Sequence, residues 1–299
     1  MNSLKPAAVL TAAVMVLGGA AAAPNLNNPG KTPGDTLYGL DRAMEALSLA
    51  LTFSKKARVN KTLEFARERL AEAKQLQERN RTRLANRSVE SYQETIQKAR
   101  RIGESVSQAA KQQNINAVIS NATMAHARVL NQARVVTGEP LYQAKLKAEN
   151  VAVGLETNAV QKARKQAEVL QHRVNETVFL ADTNRTQAIE RTMTRYQREL
   201  QKMQEIANVS DNRTRMRVQA IVANATQRHI KVLERVRERV PEEAMQGIKN
   251  ALENARNGHQ NAVAAFRKAR DAVKKMPGGL PGEKAPGNMN RTTGRGAAA

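Results

Sequence analysis

Residues 80–102, NRTRLANRSVESYQETIQKARRI, and residues 184–206, NRTQAIERTMTRYQRELQKMQEI, are one pattern written twice. In the first copy Val89, Tyr92, Ile96, Ala99 and Ile102 recur at steps of three and four; Met193, Tyr196, Leu200, Met203 and Ile206 repeat those steps in the second. That period puts the apolar side chains on one face of an α-helix. Side chains change while spacing is kept, which is the signature of a packing requirement.

Around these segments the whole chain matches itself at an offset of about 104 residues. Gly34, Leu37 and Tyr38 fall on Gly138, Leu141 and Tyr142, and Asn80-Arg81-Thr82 on Asn184-Arg185-Thr186. About nineteen of the first sixty-nine or so pairs are identical, against roughly one in fifteen by chance. The register then slips by one, so that Asn121-Ala122-Thr123 aligns with Asn224-Ala225-Thr226 and His126 with His229. Further stripes run through Leu63, Ala66, Leu70, Ala73 and Leu76, and through Ile115, Val118, Ala122, Val129 and Ala133; the latter is mirrored by Val218, Ile221, Ala225, Val232 and Val236. Strand signals are missing: there is no alternating β-branched run and no Asn-Gly hairpin.

The pattern predicts an all-α fold, elongated antiparallel helical hairpins or a bundle, built from two tandem repeats plus a C-terminal helix. The first repeat spans 34–137 and the second 138–240, with Gly138-Glu139-Pro140 closing one unit and opening the next. Ser54 and its equivalent Asn158 are good N-cap residues, so a short first helix ends just before each. Two or three long helices follow, of roughly 20 to 27 residues or about 30 to 40 Å. Pro241-Glu242-Glu243 opens the last helix, 241–275, with Ile248, Leu252, Ala255, His259, Val263 and Phe266 on one face. Residues 24–33 read as a flexible lead-in and 276–299 as a disordered, Pro- and Gly-rich tail.

Residues 1–23 read as a secretory signal peptide. Lys5 gives the charged start, Ala7 to Leu17 the apolar core, and Ala20, Ala21 and Ala22 the small cleavage residues. The alternative, an uncleaved anchor, suffers from an apolar run shorter than the roughly 20 residues a span needs. No later segment is apolar enough to span a membrane. The expected location is therefore extracytoplasmic, secreted or attached to the cell surface. Cysteine is absent, so neither a lipid anchor on Cys nor a disulfide is available.

Ten Asn-X-Ser/Thr sequons begin at Asn60, Asn80, Asn86, Asn121, Asn175, Asn184, Asn208, Asn212, Asn224 and Asn290. Roughly two would arise by chance, so these are candidate glycosylation sites. The competing explanation is that Asn-Arg-Thr suits polar helix faces and was copied by duplication. An archaeal cell envelope fits such a chain best.

The chain carries 49 Lys and Arg against 27 Asp and Glu, a formal charge of +22. Both repeats and the last helix share the excess, with acids interspersed and no long basic run. Aromatic content is 3%, too little to build a stacking platform for bases. These features argue against nucleic acid. They leave a solvated basic surface, attraction to anionic envelope polymers or lipid headgroups, or docking of protein helices on an apolar stripe.

Signals for chemistry are missing. Thr123, Val169, Thr226 and Arg256 stand three residues before His126, His172, His229 and His259, so no Glu-X-X-His di-iron motif exists. No His-Glu-X-X-His, phosphate loop or nucleophile elbow occurs. No catalytic residue, cofactor or metal is expected, and His126 with His229 reads as a duplicated polar helix position.

The opening Pro33-Gly34-Asp35-Thr36-Leu37-Tyr38-Gly39-Leu40-Asp41-Arg42-Ala43-Met44-Glu45 resembles the start of an uncharacterised family, domain of unknown function 5667. Leu49 to Thr52 and the run Leu63, Ala66, Arg69 and Leu70 continue the likeness, and the last helix resembles one that closes such proteins. The second copy keeps Gly138-Glu139-Pro140-Leu141-Tyr142 but has Lys145-Leu146 in place of Asp41-Arg42. The resemblance implies an all-helical extracytoplasmic module and transfers no functional residue. Leu37 and Tyr38 are expected to fold back as a plug between helices, the Tyr hydroxyl meeting a polar rim.

Overall fold

A computed structural model describes Leu26, residues 30–208 and residues 211–275. The expected signal over 1–23, the expected tail over 276–299 and Asn290 lie outside them. Among the described residues the secondary structure is nine α-helices and no strand. They are α1 (Tyr38–Ala50), α2 (Lys55–Glu78), α3 (Thr82–Glu104), α4 (Ala109–Gln132), α5 (Pro140–Gly154), α6 (Ala159–Asp182), α7 (Thr186–Asn208), α8 (Asn212–Arg237) and α9 (Glu242–Lys274). Each repeat is thus one short helix followed by three long ones.

Local chemistry fixes the boundaries. The Ser54 hydroxyl accepts from the Ala57 N–H, and the Asn158 carbonyl from Val160 and Gln161, capping α2 and α6. At the far end of α2, Asn80 takes φ +57° while Asn80 N–H donates to Gln77 and Arg81 N–H to Leu76. Asn184 does the same at the end of α6, with φ +55° and bonds from Asn184 to Ala181 and from Arg185 to Leu180. This is the left-handed helix stop, which Asn tolerates better than other side-chain-bearing residues. Gly34 and Gly138, at φ +104° and +96°, make the turn into α1 and α5, a conformation that glycine alone adopts without strain.

Packing runs one helix out of phase with the sequence repeat. α2 pairs with α3 and α6 with α7 as antiparallel hairpins. The first core is then closed by α4 together with α5, the opening helix of the second repeat: Leu141, Tyr142, Ala144, Ala148 and Val151 bury in the same cluster as Leu70, Tyr92 and Ile119. The second core takes α6, α7 and α8, and α9 closes it by lying on α8 and α7. Positionally α9 is where a third repeat would begin. It stands to α8 and α7 as α5 stands to α4 and α3.

Three sequence expectations change in detail. On α4 the buried arc runs through Ile115, Ile119, Met124, Ala127 and Leu130, while Val118, Ala122 and Val129 are only half-buried and Ala133 is exposed. The reason is that α5 presses on α4 from one side and the α2–α3 hairpin from the other, rotating its buried face. The lead-in is tied down where it is described: Leu26 joins the first core, and Thr32, also buried, donates from both its N–H and its hydroxyl to Asp35. The Leu–Tyr plug forms in the second repeat, where Leu141 and Tyr142 are buried in the first core, but Leu37 is 53% exposed.

Candidate functional site

Beneath the short helix of each repeat lies a buried polar cluster made from identical positions. In the first, the Arg69 guanidinium is fully buried. Its Nη1 donates to the Tyr38 hydroxyl at 3.3 Å and lies 2.8 Å from Glu72, and its Nη2 binds Glu45 of α1. Ser88 of α3 donates to Glu72 at 3.4 Å. Arg42 ties Glu45, at 2.7 Å, to Ser91 of α3.

The second cluster repeats this and adds cations. Arg173 donates to the Tyr142 hydroxyl at 3.0 Å and to Glu176 at 2.7 Å, and binds Glu149. Thr192 donates to Glu176 at 3.0 Å, as Ser88 does to Glu72. Lys145 stands where the first repeat has Asp41 and reaches the Val135 carbonyl at 3.2 Å; His172 replaces Glu68 and pairs with Glu149 at 2.8 Å. Arg195 replaces Ser91 and donates to Tyr142 at 3.0 Å. The Tyr142 hydroxyl therefore accepts from two arginines and donates to Glu176 at 3.2 Å.

Different charge balances give the clusters different acidities. Burial pushes the Glu72 carboxyl up to about 8 against the pull of Arg69, and raises Glu45 and Glu68 as well. Around Glu149 burial is outweighed by Arg173, His172 and Lys145, and the carboxyl sits below its usual range. Lys145 is pulled down to about 8, by burial and then by Arg173. A buried ion pair adds little net stability, but it penalises any arrangement that leaves a charge unmatched. These clusters are latches that fix the register of α1 on α2 and of α5 on α6. Lys145, Glu149, Arg173 and Glu176 are each at most 3% exposed, so the groups face one another, with Glu149 also bordering a small cleft.

His126 and His229, paired in the sequence by the repeat, occupy matching buried sites. Each places Nδ1 beside a tyrosine hydroxyl, at 3.3 Å from Tyr92 and 3.2 Å from Tyr196, with the rings edge to face. Burial, then Arg67, pushes His126 down to about 4; burial, then Arg228, pushes His229 down to about 3. Both are neutral core residues near pH 7. His172 joins the ionic cluster and His259 donates to the Ala223 carbonyl at 3.0 Å.

Two small clefts lie on the described residues. One cleft of about 270 Å³ lies between α8 and α9 beside Arg237, Leu252 and Arg256, and one of about 190 Å³ beside Glu149, Gln166 and Glu199. Both are below the roughly 300–1,000 Å³ of small-molecule pockets. No group of three or more His, Asp or Glu able to hold a metal occurs among the described residues, and no helix among them is long and apolar enough to cross a membrane.

The sequon asparagines separate into two kinds. Asn80 and Asn184 lie in the α2–α3 and α6–α7 turns and are exposed. Asn208 ends α7 and Asn212 begins α8. The rest are inside helices: Asn60, Asn86, Asn121, Asn175 and Asn224 are exposed, while Thr62, Ser88, Thr123, Thr177 and Thr226 two positions on are buried. The four threonines donate back to the carbonyls of Arg58, Ile119, Arg173 and Val222. Two residues along a helix turn about 200°, so an outward Asn followed by an inward hydroxyl is a packing pattern as well as a sequon.

Among the described residues the exposed large hydrophobic side chains gather on and beside α1. Leu37, Leu40, Met44, Leu47 and Leu51 are between 51% and 65% exposed, and Phe53 beyond them is 94% exposed. Their second-repeat equivalents Leu141, Ala144, Ala148 and Val151 are buried against the first core. Sequence reasoning missed both this face and the latches. The latches had a signal: Glu45, Arg69 and Glu72 are identical to Glu149, Arg173 and Glu176, an unusual constancy for charges on a solvated face.

No curated protein and no solved structure matches the chain. A family described as a domain of unknown function, DUF5667, matches residues 30–132 and again 134–243, together well over half of the sequence. Those two matches coincide with the duplicated hairpins, latches and Gly-led openings, and the chain belongs to the DUF5667 family, of which it carries two tandem copies.

Proposed function

We propose that this is an exported, N-glycosylated helical protein of the cell envelope that works by presenting surfaces, as a structural or interaction module and not as an enzyme. The observation that carries the reading is the bare α1 face: a helical array closed at one end by α9 leaves at its other end the surface that its own second repeat buries. An exposed apolar patch of that extent on a monomer marks an interaction site. Export is supported by the amino-terminal pattern and by the exposure of every described sequon asparagine but Asn212, which is half-buried. Surface-turn sequons are the better acceptors, so Asn80 and Asn184 are the favoured sites.

A second reading, electrostatic attachment to anionic envelope polymers or membrane surfaces, is favoured by the formal charge of +22. A third, binding of partner helices in a chaperone-like manner, would use the α1 stripe. Mass spectrometry of the native protein tests the leading reading. A mature chain starting near Ala23, with glycan on peptides containing Asn80 or Asn184, is expected. A native chain that keeps Met1 and bears no sugar would overturn both export and glycosylation. In the same preparation, release from the envelope by salt alone would favour the electrostatic reading.

A further inference from the structure

Resting on the interaction reading above, we infer that the α1 face pairs with the α1 face of a second copy of this chain, giving a closed two-fold dimer. Leu37, Leu40, Met44, Leu47 and Leu51 follow one another at steps of three, four, three and four. That is the seam of a two-stranded helical pairing, narrower than the face a helix lays on a broad core. The equivalents that pack internally are small: Ala144 and Ala148 let α5 settle closely on α4, where Ser120 bonds the Ala152 carbonyl. In α1 those positions are Leu40 and Met44, side chains that fill a facing helix's holes. From their exposures the stripe and Phe53 offer roughly 700 Å², close to the ~800 Å² per partner of a standard interface.

Charge and symmetry select the partner. The only charged residues of α1 are Asp41, Arg42 and Glu45, and Arg42 is spent on Glu45 and Ser91. Such a helix lacks the free cations with which an interfacial helix meets anionic lipid, and it does not repel its own copy. Head-to-tail stacking of copies is blocked, because α9 covers the α8 surface on which a foreign α1 would sit. The pairing left is face to identical face, which closes at two chains instead of growing into a fibre.

Sedimentation equilibrium of the full chain at micromolar concentration is expected to give twice the mass of one chain. Because the sequence contains no Cys, Met44→Cys should oxidise to a covalent dimer in high yield, while Ala46→Cys, on the same helix but off the stripe, should not. Leu40→Asp with Leu47→Asp should weaken association at least a hundredfold with helical circular dichroism and melting preserved. A wild-type monomer at about 100 μM, or a dimer that survives the double substitution, would overturn the pairing. If the wild type is a monomer and the double variant loses binding to anionic vesicles or to another envelope protein, self-pairing falls and the interaction reading stands. If the wild type is a monomer and the double variant changes no binding, both fall.

Discussion

Acidification should loosen both halves of the molecule through the same residue pair. His126 and His229 are held neutral in the core at about 4 and about 3, against 6.5 for the free side chain. The unfolded chain therefore takes up protons that the folded chain refuses. A depressed folded-state value gives stability that is present above 6.5 and lost as pH falls toward 4. Between about pH 7.5 and about pH 5 each histidine should remove about 2 kcal/mol, about 4 kcal/mol for the pair. Glu72 acts in the opposite sense: held up to about 8, its contribution is complete below 4.5 and disappears as pH rises through 8. The wild-type profile alone is thus a sum of opposed slopes. The comparison that isolates the histidines is with His126→Gln/His229→Gln, which keeps Glu72 and removes the titration. Urea unfolding followed by far-ultraviolet circular dichroism at several pH values measures both. Wild type should lose about 4 kcal/mol more than the variant over that interval. Parallel profiles would mean that the histidines protonate freely in the fold, and the buried Tyr–His assignment would be wrong.

Further substitutions probe the latches and the turns. Arg173→Met strands Glu149 and Glu176 in the interior and should cost about 3–5 kcal/mol in denaturant unfolding, with Arg173→Lys failing to restore it because one ammonium cannot bridge both carboxylates and Tyr142; an unshifted midpoint would dismiss the latch. Asn80→Ala and Asn184→Ala place a Cβ-bearing residue less tolerant of the left-handed region at φ +57° and +55°, and should each lower stability by about 1 kcal/mol in unglycosylated protein, whereas glycine at either position should be nearly neutral. Equal loss for alanine and glycine would assign the asparagines a side-chain role instead.

Much of the architecture follows from local rules that one sequence carries. Helical period, Ser54 and Asn158 as caps, Gly138-Glu139-Pro140 as the boundary between units, and Pro241 opening the last helix each depend on a few neighbouring residues, and each stands where the chain implies. The duplication was likewise legible, since copying preserves spacing through substitution.

What tertiary structure alone decided is which surfaces meet. Periodicity says that a helix has an apolar face but not which helix covers it, so the slip of the packed cores by one helix relative to the repeat could not be read from Leu141 or Ala148. Arg69, Glu72, Arg173 and Glu176 are constant across the repeat, but a charge at helical spacing is usually solvated; their burial depends on α1 and α5 crossing above them. The converse holds for α1, whose stripe is more apolar than that of α5 yet is left in water. Hydrophobicity is a property of the residue, but burial needs a neighbour, and among the described residues no helix lies on the α1 stripe as α4 lies on that of α5.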